Sequence, residues 1–299
     1  LSLIISQDYP KKKFYKREKH AAKIMGRDDR KYGDHSGNRV LCRFYNHGSI
    51  GDQSSSFSGV YPIGSGHSYI WEFSPVVAAS VVDTNGFRRH IVSDGISGLV
   101  DASPEGTPWS FEPLSGYSNP NQENLAMSDN ENSWPNSWPN RTEDWNGEWN
   151  GQYGKYVRAD QESYFVVDDR YNSEFEFWPD QNDIPEDPTV SPDEHRRGLG
   201  IEMEARGYQW NHPAAEDIII VTYWITNVGS SVLDSVVFGM YGDADIGGAS
   251  SFSDDDAWFD TENDMVYQWD HDNWSSSYGG FRPAYFGWSF LESPGNPHD

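Results

Sequence analysis

The chain has 299 residues, enough for one large domain or two modest ones. Its 47 Asp and Glu against 22 Lys and Arg leave a formal charge of −25. That balance excludes a nucleic-acid partner, because a phosphate backbone must be met by cations, and no run of apolar residues is long enough for a membrane-spanning helix. Hydrophobic residues reach only 36%, yet aromatics reach 15%. Disordered acidic chains are poor in rings, so this chain folds around a core rich in aromatic side chains.

Charge divides the sequence at its start. Residues 1–31 hold ten Lys and Arg against four acids, and the remaining 268 hold twelve against 43. Residues 1–36 therefore read as a basic arm on an acidic body. Lys11, Lys12, Lys13, Lys16 and Arg17 are its densest part and the candidate contact with a neighbouring subunit; the plain alternative is a solvated charge run. Residues 1–7 (LSLIISQ) read as the remnant of a secretory signal, or else as a strand that one subunit lends to another's sheet edge. A short helix is expected at 18–25.

Beyond the arm, strand signals dominate. Residues 39–45 alternate, which makes Cys42 a small buried hydrophobe rather than a nucleophile. As the only cysteine it also excludes an internal disulfide. Further β-rich runs are 68–73, 76–82, 88–92, 163–167, 200–209, 217–226, 232–240, 265–269 and 284–290, separated by Gly, Pro, Asn, Asp and Ser. Asp83-Thr84-Asn85-Gly86 predicts a hairpin, Asn-Gly supplying the positive φ of a type I′ turn. Residues 217–226 are apolar on both faces, as in a strand covered on both sides; 227–230 then turn the chain and 232–240 return.

The expected fold is mainly β and of β-sandwich type. Region 37–198 is β-rich. Region 199–299 matches an immunoglobulin-like sandwich in length, without the Cys…Trp…Cys signature of that family. Residues 93–158 form a long loop-rich insertion with five tryptophans and a tandem Ser-Trp-Pro-Asn at 133–140. A segment of that length inside a domain is functional or pinned by its own side chains.

Chemistry concentrates in the acidic loop of the C-terminal region. Asp243 and Asp245, a glycine bend at Gly247-Gly248, then Asp254, Asp255, Asp256 and Asp260 can wrap a hard cation in oxygen ligands. Counting from Asp243, positions 1, 3 and 6 match an EF-hand loop, and position 12 carries Asp254 in place of the usual Glu. Position 5 is glycine and no helices flank the segment, so the expectation is a strand-to-loop Ca2+ site, with a solvated acidic loop as the plain alternative. Asp270-His271-Asp272-Asn273 and 180–187 are weaker candidates. In the insertion, Trp134, Trp138, Trp145 and Trp149 offer either a sugar-stacking platform or, preferred on composition, the packing of a subdomain short of aliphatics. No GxSxG elbow, HExxH pair, P-loop or GxGxxG run occurs, so no enzyme is indicated. Asn140-Arg141-Thr142 and Asn273-Trp274-Ser275 match N-glycosylation acceptors, a frequent chance match in Asn-rich chains.

The motif order carries a resemblance. Gly64-Ser65-Gly66-His67, Asp101-Ala102-Ser103-Pro104-Glu105-Gly106-Thr107, Ala159-Asp160-Gln161-Glu162-Ser163-Tyr164, Ile225-Thr226-Asn227-Val228-Gly229, the run FGMYGDADIGG from Phe238, and Tyr267-Gln268-Trp269-Asp270-His271-Asp272 resemble large secreted or cell-surface proteins of Bacteroidota-like bacteria that end in a secretion sorting domain. The resemblance runs from about Arg39 onward and implies a bacterial extracellular or cell-surface location. It also implies that this chain is an N-terminal portion, with 291–299 leading into calcium repeats; it supplies no catalytic residue. The leading expectation is an extracellular, calcium-stabilised structural or assembly-forming protein whose partners are itself or other surface proteins. The alternatives are a polysaccharide-binding module using the four tryptophans, and a polysaccharide-active enzyme.

Overall fold

The fold is that of a computed structural model, which describes residues 2–4, 29–51, 58–97, 102–104, 106, 109–182, 184, 195–248 and 251–292. The arm residues Lys11, Lys12, Lys13, Lys16 and Arg17, and the short helix expected at 18–25, lie outside them. In chain order the strands are β1 (Ser2–Ile4), β2 (Tyr32–His35), β3 (Cys42–Tyr45), β4 (Glu72–Val82), β5 (Arg88–Asp94), β6 (Glu112–Pro113), β7 (Ala126–Met127), β8 (Gln161–Asp168), β9 (Ile201–Gln209), β10 (Ile220–Asn227), β11 (Asp234–Asp243), β12 (Asp255–Asp260), β13 (Met265–Asp270) and β14 (Phe286–Glu292).

A large sheet runs β12-β13-β14-β1-β10-β9-β8-β6, with β7 also paired to β8. A three-stranded sheet runs β11-β4-β5, and β2 and β3 form a hairpin. The fold is mainly β and of sandwich type. Rings clasp the two sheets together: Phe73 of β4 meets Phe286 and Trp288 of β14 at 5.2 and 4.8 Å, and Phe238 of β11 meets Tyr223 of β10 at 5.4 Å. Phe73, Val77, Cys42 and Phe44 are completely or almost completely enclosed, in keeping with the expected inward place of Cys42.

Local sequence explains several element choices. The two predicted runs 68–73 and 76–82 give one long strand through Pro75. The carbonyl of Pro75 accepts from the Gly95 amide, but proline has no N–H to return the bond, so the β4–β5 ladder ends at that pair. The 83–86 hairpin forms, but Gly86 alone has positive φ (80°), and its amide bonds the Asp83 carbonyl. The turn is therefore a type I turn closed by a glycine bulge rather than type I′. Gly207 in β9 has to be glycine: a Cβ there would lie 2.6 Å from His35 Nε2, where the β2–β3 hairpin lies on the large sheet.

Two expectations about connectivity change. The segment after β10 is not a hairpin return. Amides of Val228 and Ser230 bond the carbonyls of Gly200 and Pro179, and the chain then crosses to the other sheet, where β11 pairs with β4. Nor does residue 198 divide the fold, since β8 pairs with β9 and β4 with β11 across it. Region 199–299 closes no sandwich alone, because the only described partner of β11 comes from region 37–198. At the other end Ser2–Ile4 is a strand, and its acceptor is the chain's own sheet, between and parallel to β10 and β14.

The described part of the insertion is pinned by its own rings. Tyr117, Trp138, Trp149, Tyr164 and Val166 form a second small core. The indole N–H of Trp134 donates to the Met127 carbonyl, that of Trp138 to the Glu148 carbonyl, and that of Trp149 to Glu162 Oε2 at 2.7 Å. Each ring thus buries area while its one polar atom is satisfied.

Candidate metal centre

The acidic groups converge where the β11–β12 connection meets the end of the β12–β13 hairpin. Gly247 and Gly248 have φ of 84° and 86°, and a Cβ on Gly247 would lie 2.7 Å from that of Ser275. Paired glycines therefore let the loop turn under the 270–275 segment. Ile246 is buried, and its amide donates to Asp255 Oδ2 at 2.8 Å. Ser275 Oγ donates to the Gly247 carbonyl at 2.7 Å.

Strand pairing supplies the rest. Asp255 stands directly opposite Asp270 in the β12–β13 ladder, so both carboxylates leave the same face. Asp254, Asp270 and Asp272 each bring an oxygen within 4.8 Å of the others. Ligands on opposite sides of a calcium ion lie about 4.6–5.2 Å apart, so one ion fits between them. Asp270 is enclosed and held: it accepts Ser251 Oγ at 2.8 Å and the Trp274 amide at 2.8 Å. Asp272 Oδ1 also accepts that amide, at 2.9 Å. These bonds orient the carboxylates and leave lone pairs free.

The electrostatics are those of a site short of positive charge. Burial, with the charges of Asp270, Asp245 and Asp254, pushes the Asp255 carboxyl up to about 7, although the Ile246 amide opposes the shift. Burial and Asp243 push Asp245 up to about 6. Asp255 Oδ1 is enclosed and has no hydrogen-bond partner. A buried carboxylate oxygen left without a donor is costly; a proton or a cation would satisfy it.

The expected ligand set is therefore revised. Of the expected ligands Asp254 belongs to the cluster; Asp255 adjoins it opposite Asp270, and Asp245 is near enough for its charge to raise the Asp255 carboxyl. Asp243 stands beside it, its Oδ2 accepting from the Tyr241 hydroxyl at 3.3 Å. Asp256 alternates to the other face and holds His271 Nδ1 at 2.6 Å. Asp260 is at the far end of the hairpin, where it accepts the Glu262 and Asn263 amides and caps the turn. Asp270 and Asp272, from the weaker sequence candidate, are central instead. In the other weak candidate Asp180 accepts the Asn182 amide and Ser230 Oγ, and 183 and 185–190 lie outside the described residues.

The tryptophan platform does not assemble in the insertion. Trp138 and Trp149 are 3% and 2% exposed, and Trp145 is covered by the Arg141 guanidinium at 4.2 Å. Trp134 packs against the same small core. Packing, the reading preferred on composition, accounts for these rings. Two histidine–serine pairs that the sequence did not reveal are present: His35 Nε2 to Ser163 Oγ at 2.8 Å and His47 Nε2 to Ser97 Oγ at 2.6 Å. In both, the other ring nitrogen is buried without a partner, so neither has the orienting carboxylate of a hydrolytic triad.

The chain matches no protein-family model, no curated protein and no solved structure.

Proposed function

We propose that this chain is an extracellular, calcium-stabilised β-sandwich domain with a structural or assembly-forming role at a bacterial cell surface. The observation that carries the reading is the buried, unpartnered oxygen of Asp255 among Asp245, Asp254 and Asp270. Four carboxylates drawn from a loop and two adjacent strands repel one another, and a divalent ion turns that repulsion into a clamp on the β12–β13 hairpin. Extracellular calcium modules work at dissociation constants of about 0.1–1 mM, so a site of this kind fills where free calcium is high. Ion clamping also suits an exported chain whose one thiol, Cys42, is buried and forms no disulfide. Self-association and contact with other surface proteins belong to the same proposal, with the basic arm as their candidate element.

Calorimetric titration of the chelator-stripped protein with calcium tests the ion. Saturable heat is expected, weakened at least tenfold in Asp270→Asn; no heat and equal melts with calcium or chelator remove the ion from the proposal. Light scattering in both buffers tests assembly. A larger mass in calcium that falls on chelation supports it, and a monomer throughout removes the assembly role.

A further inference from the structure

A second surface of the same hairpin carries chemistry that the ion does not use. Register defines it. Trp258 of β12 is directly opposite Tyr267 of β13, and Tyr267 is opposite Gly287 of β14. Trp269 follows Tyr267 by two residues and Tyr285 precedes Gly287 by two, so all four rings share one face. The opposite face of β14 carries Phe286 and Trp288, which pack on Phe73 in the core. The Trp258 face is therefore the outer one.

The outer face of an antiparallel sandwich sheet is ordinarily polar. Here Tyr267, Trp269 and Tyr285 form a continuous raft, with Trp258 beside it across the β12–β13 ladder. Tyr267 and Trp269 are 5.4 Å apart at 32°, Trp269 and Tyr285 5.9 Å at 31°, and Tyr267 and Tyr285 6.1 Å at 52°. Trp258 is 66% exposed and Tyr285 70%. Gly287 keeps the surface between them low, since a Cβ there would press on Tyr267 and Met265. Beside Tyr285 the raft meets a cavity of about 360 Å³ with an apolar floor that includes Ile70 and Ile219. Tyr61, Tyr69 and Asp217 also line it.

We propose that this face is a carbohydrate-binding surface for a neutral polysaccharide. The C–H faces of successive pyranose rings would stack on Trp258, Tyr267, Trp269 and Tyr285, and one sugar would enter the cavity beside Tyr285. Charge selects this occupant. The three strands carry no Lys or Arg, and Asp256 and Asp260 stand on the same face as Trp258, so anionic polymers are repelled. The ion site leaves from the other face, so the two proposals stand or fall separately.

The test is pull-down and affinity electrophoresis of the whole 299-residue chain on cellulose, β-1,3-glucan, xylan and mannan, with alginate as the anionic control. Retention on at least one neutral polymer and none on alginate is expected. Trp258→Ala and Tyr285→Ala should each weaken it about tenfold, since a ring contact is worth about 0.5–1.5 kcal/mol and 1.4 kcal/mol is a factor of ten. Both residues are exposed, so their melts should stay at the wild-type value, and Tyr153→Ala, an exposed ring in the insertion, should change nothing. Retention by no neutral polymer, or retention indifferent to the double variant, overturns the proposal. A concentration-dependent mass abolished by Trp258→Ala, without glycan retention, also overturns it and assigns the face to a second copy.

Discussion

Replacing Asp255 by Asn should stabilise the calcium-free protein and destabilise the calcium-bound one relative to wild type. The carboxyl of Asp255 is pushed from 3.8 up to about 7 by burial and by Asp270, Asp245 and Asp254. The folded state thus holds a proton that the unfolded chain has released, and between about pH 4 and pH 7 each rise in pH lowers folding stability. For a fully enclosed carboxyl a shift of that size is worth about 4 kcal/mol; Asp255 is part-exposed, and solvent screening brings the figure to about 1–2 kcal/mol. Asparagine keeps an oxygen for the Ile246 amide and removes the charge. In chelator, the variant should therefore melt with wild type near pH 4 and about 2–8 °C above it at pH 8, at roughly 2–4 °C per kcal/mol for a chain of this size. Burial holds His35 at about 3 and lowers His47 as well, which costs stability as pH falls below 6.5, but equally in both proteins, so the difference isolates Asp255. With calcium at one hundred times its dissociation constant, wild type gains about 2.7 kcal/mol and the order reverses. Thermal melts by circular dichroism at several pH values, with calcium and with chelator, read all of this. A variant that melts below wild type in chelator at pH 8, or that gains as much from calcium, refutes the reasoning.

Trp149→Phe keeps most of the ring but leaves Glu162, which is 1% exposed, without the indole donor; urea melts should show a loss of about 1.5–3 kcal/mol, and no loss would mean that the insertion is pinned elsewhere. Phe73→Ala opens the contact between the sheets at Phe286 and Trp288 and should cost about 3–5 kcal/mol in the same assay. The Cys42 thiol is fully enclosed, and burial pushes it up to about 12. A disulfide reagent at pH 8 should therefore label the native protein only as fast as it unfolds, and at once in urea; rapid labelling of the native state would contradict the placement of β3.

Much of the architecture is legible because its strands are apolar in the usual way. Residues 217–226 announce a strand enclosed on both faces, and β10 is so enclosed at Val221, Thr222 and Tyr223 but half-buried at 224–226, with Ile218 exposed ahead of it. β12 is illegible for the opposite reason: DDAWFD has the acidity of a loop, and it is a strand because β13 pairs with it. That one omission hides both sites. Without β12 the parity of its residues is unknown, so Asp256 and Asp260 look equivalent to Asp255. The partners that arrive across the ladder, Asp270 opposite Asp255 and Tyr267 opposite Trp258, cannot be found by counting along the chain. Loop-ligand counting from Asp243 finds the near half of the ion cluster and misses the half contributed by pairing. In the insertion, by contrast, composition suffices, because rings rich in number and flanked by prolines have nowhere to pack except on one another.

The pairing of β4 with β11 has a consequence for the life of the chain before it is folded. Val77 waits for Phe238, a partner more than 150 residues downstream, and until that stretch emerges β4 presents a bare edge with the sequence VVAASVV. Contacts this remote in sequence slow folding, and an unpaired apolar edge is where nascent β proteins stick to one another. Fragments ending before β11 should thus be prone to aggregate however well β4 and β5 pair.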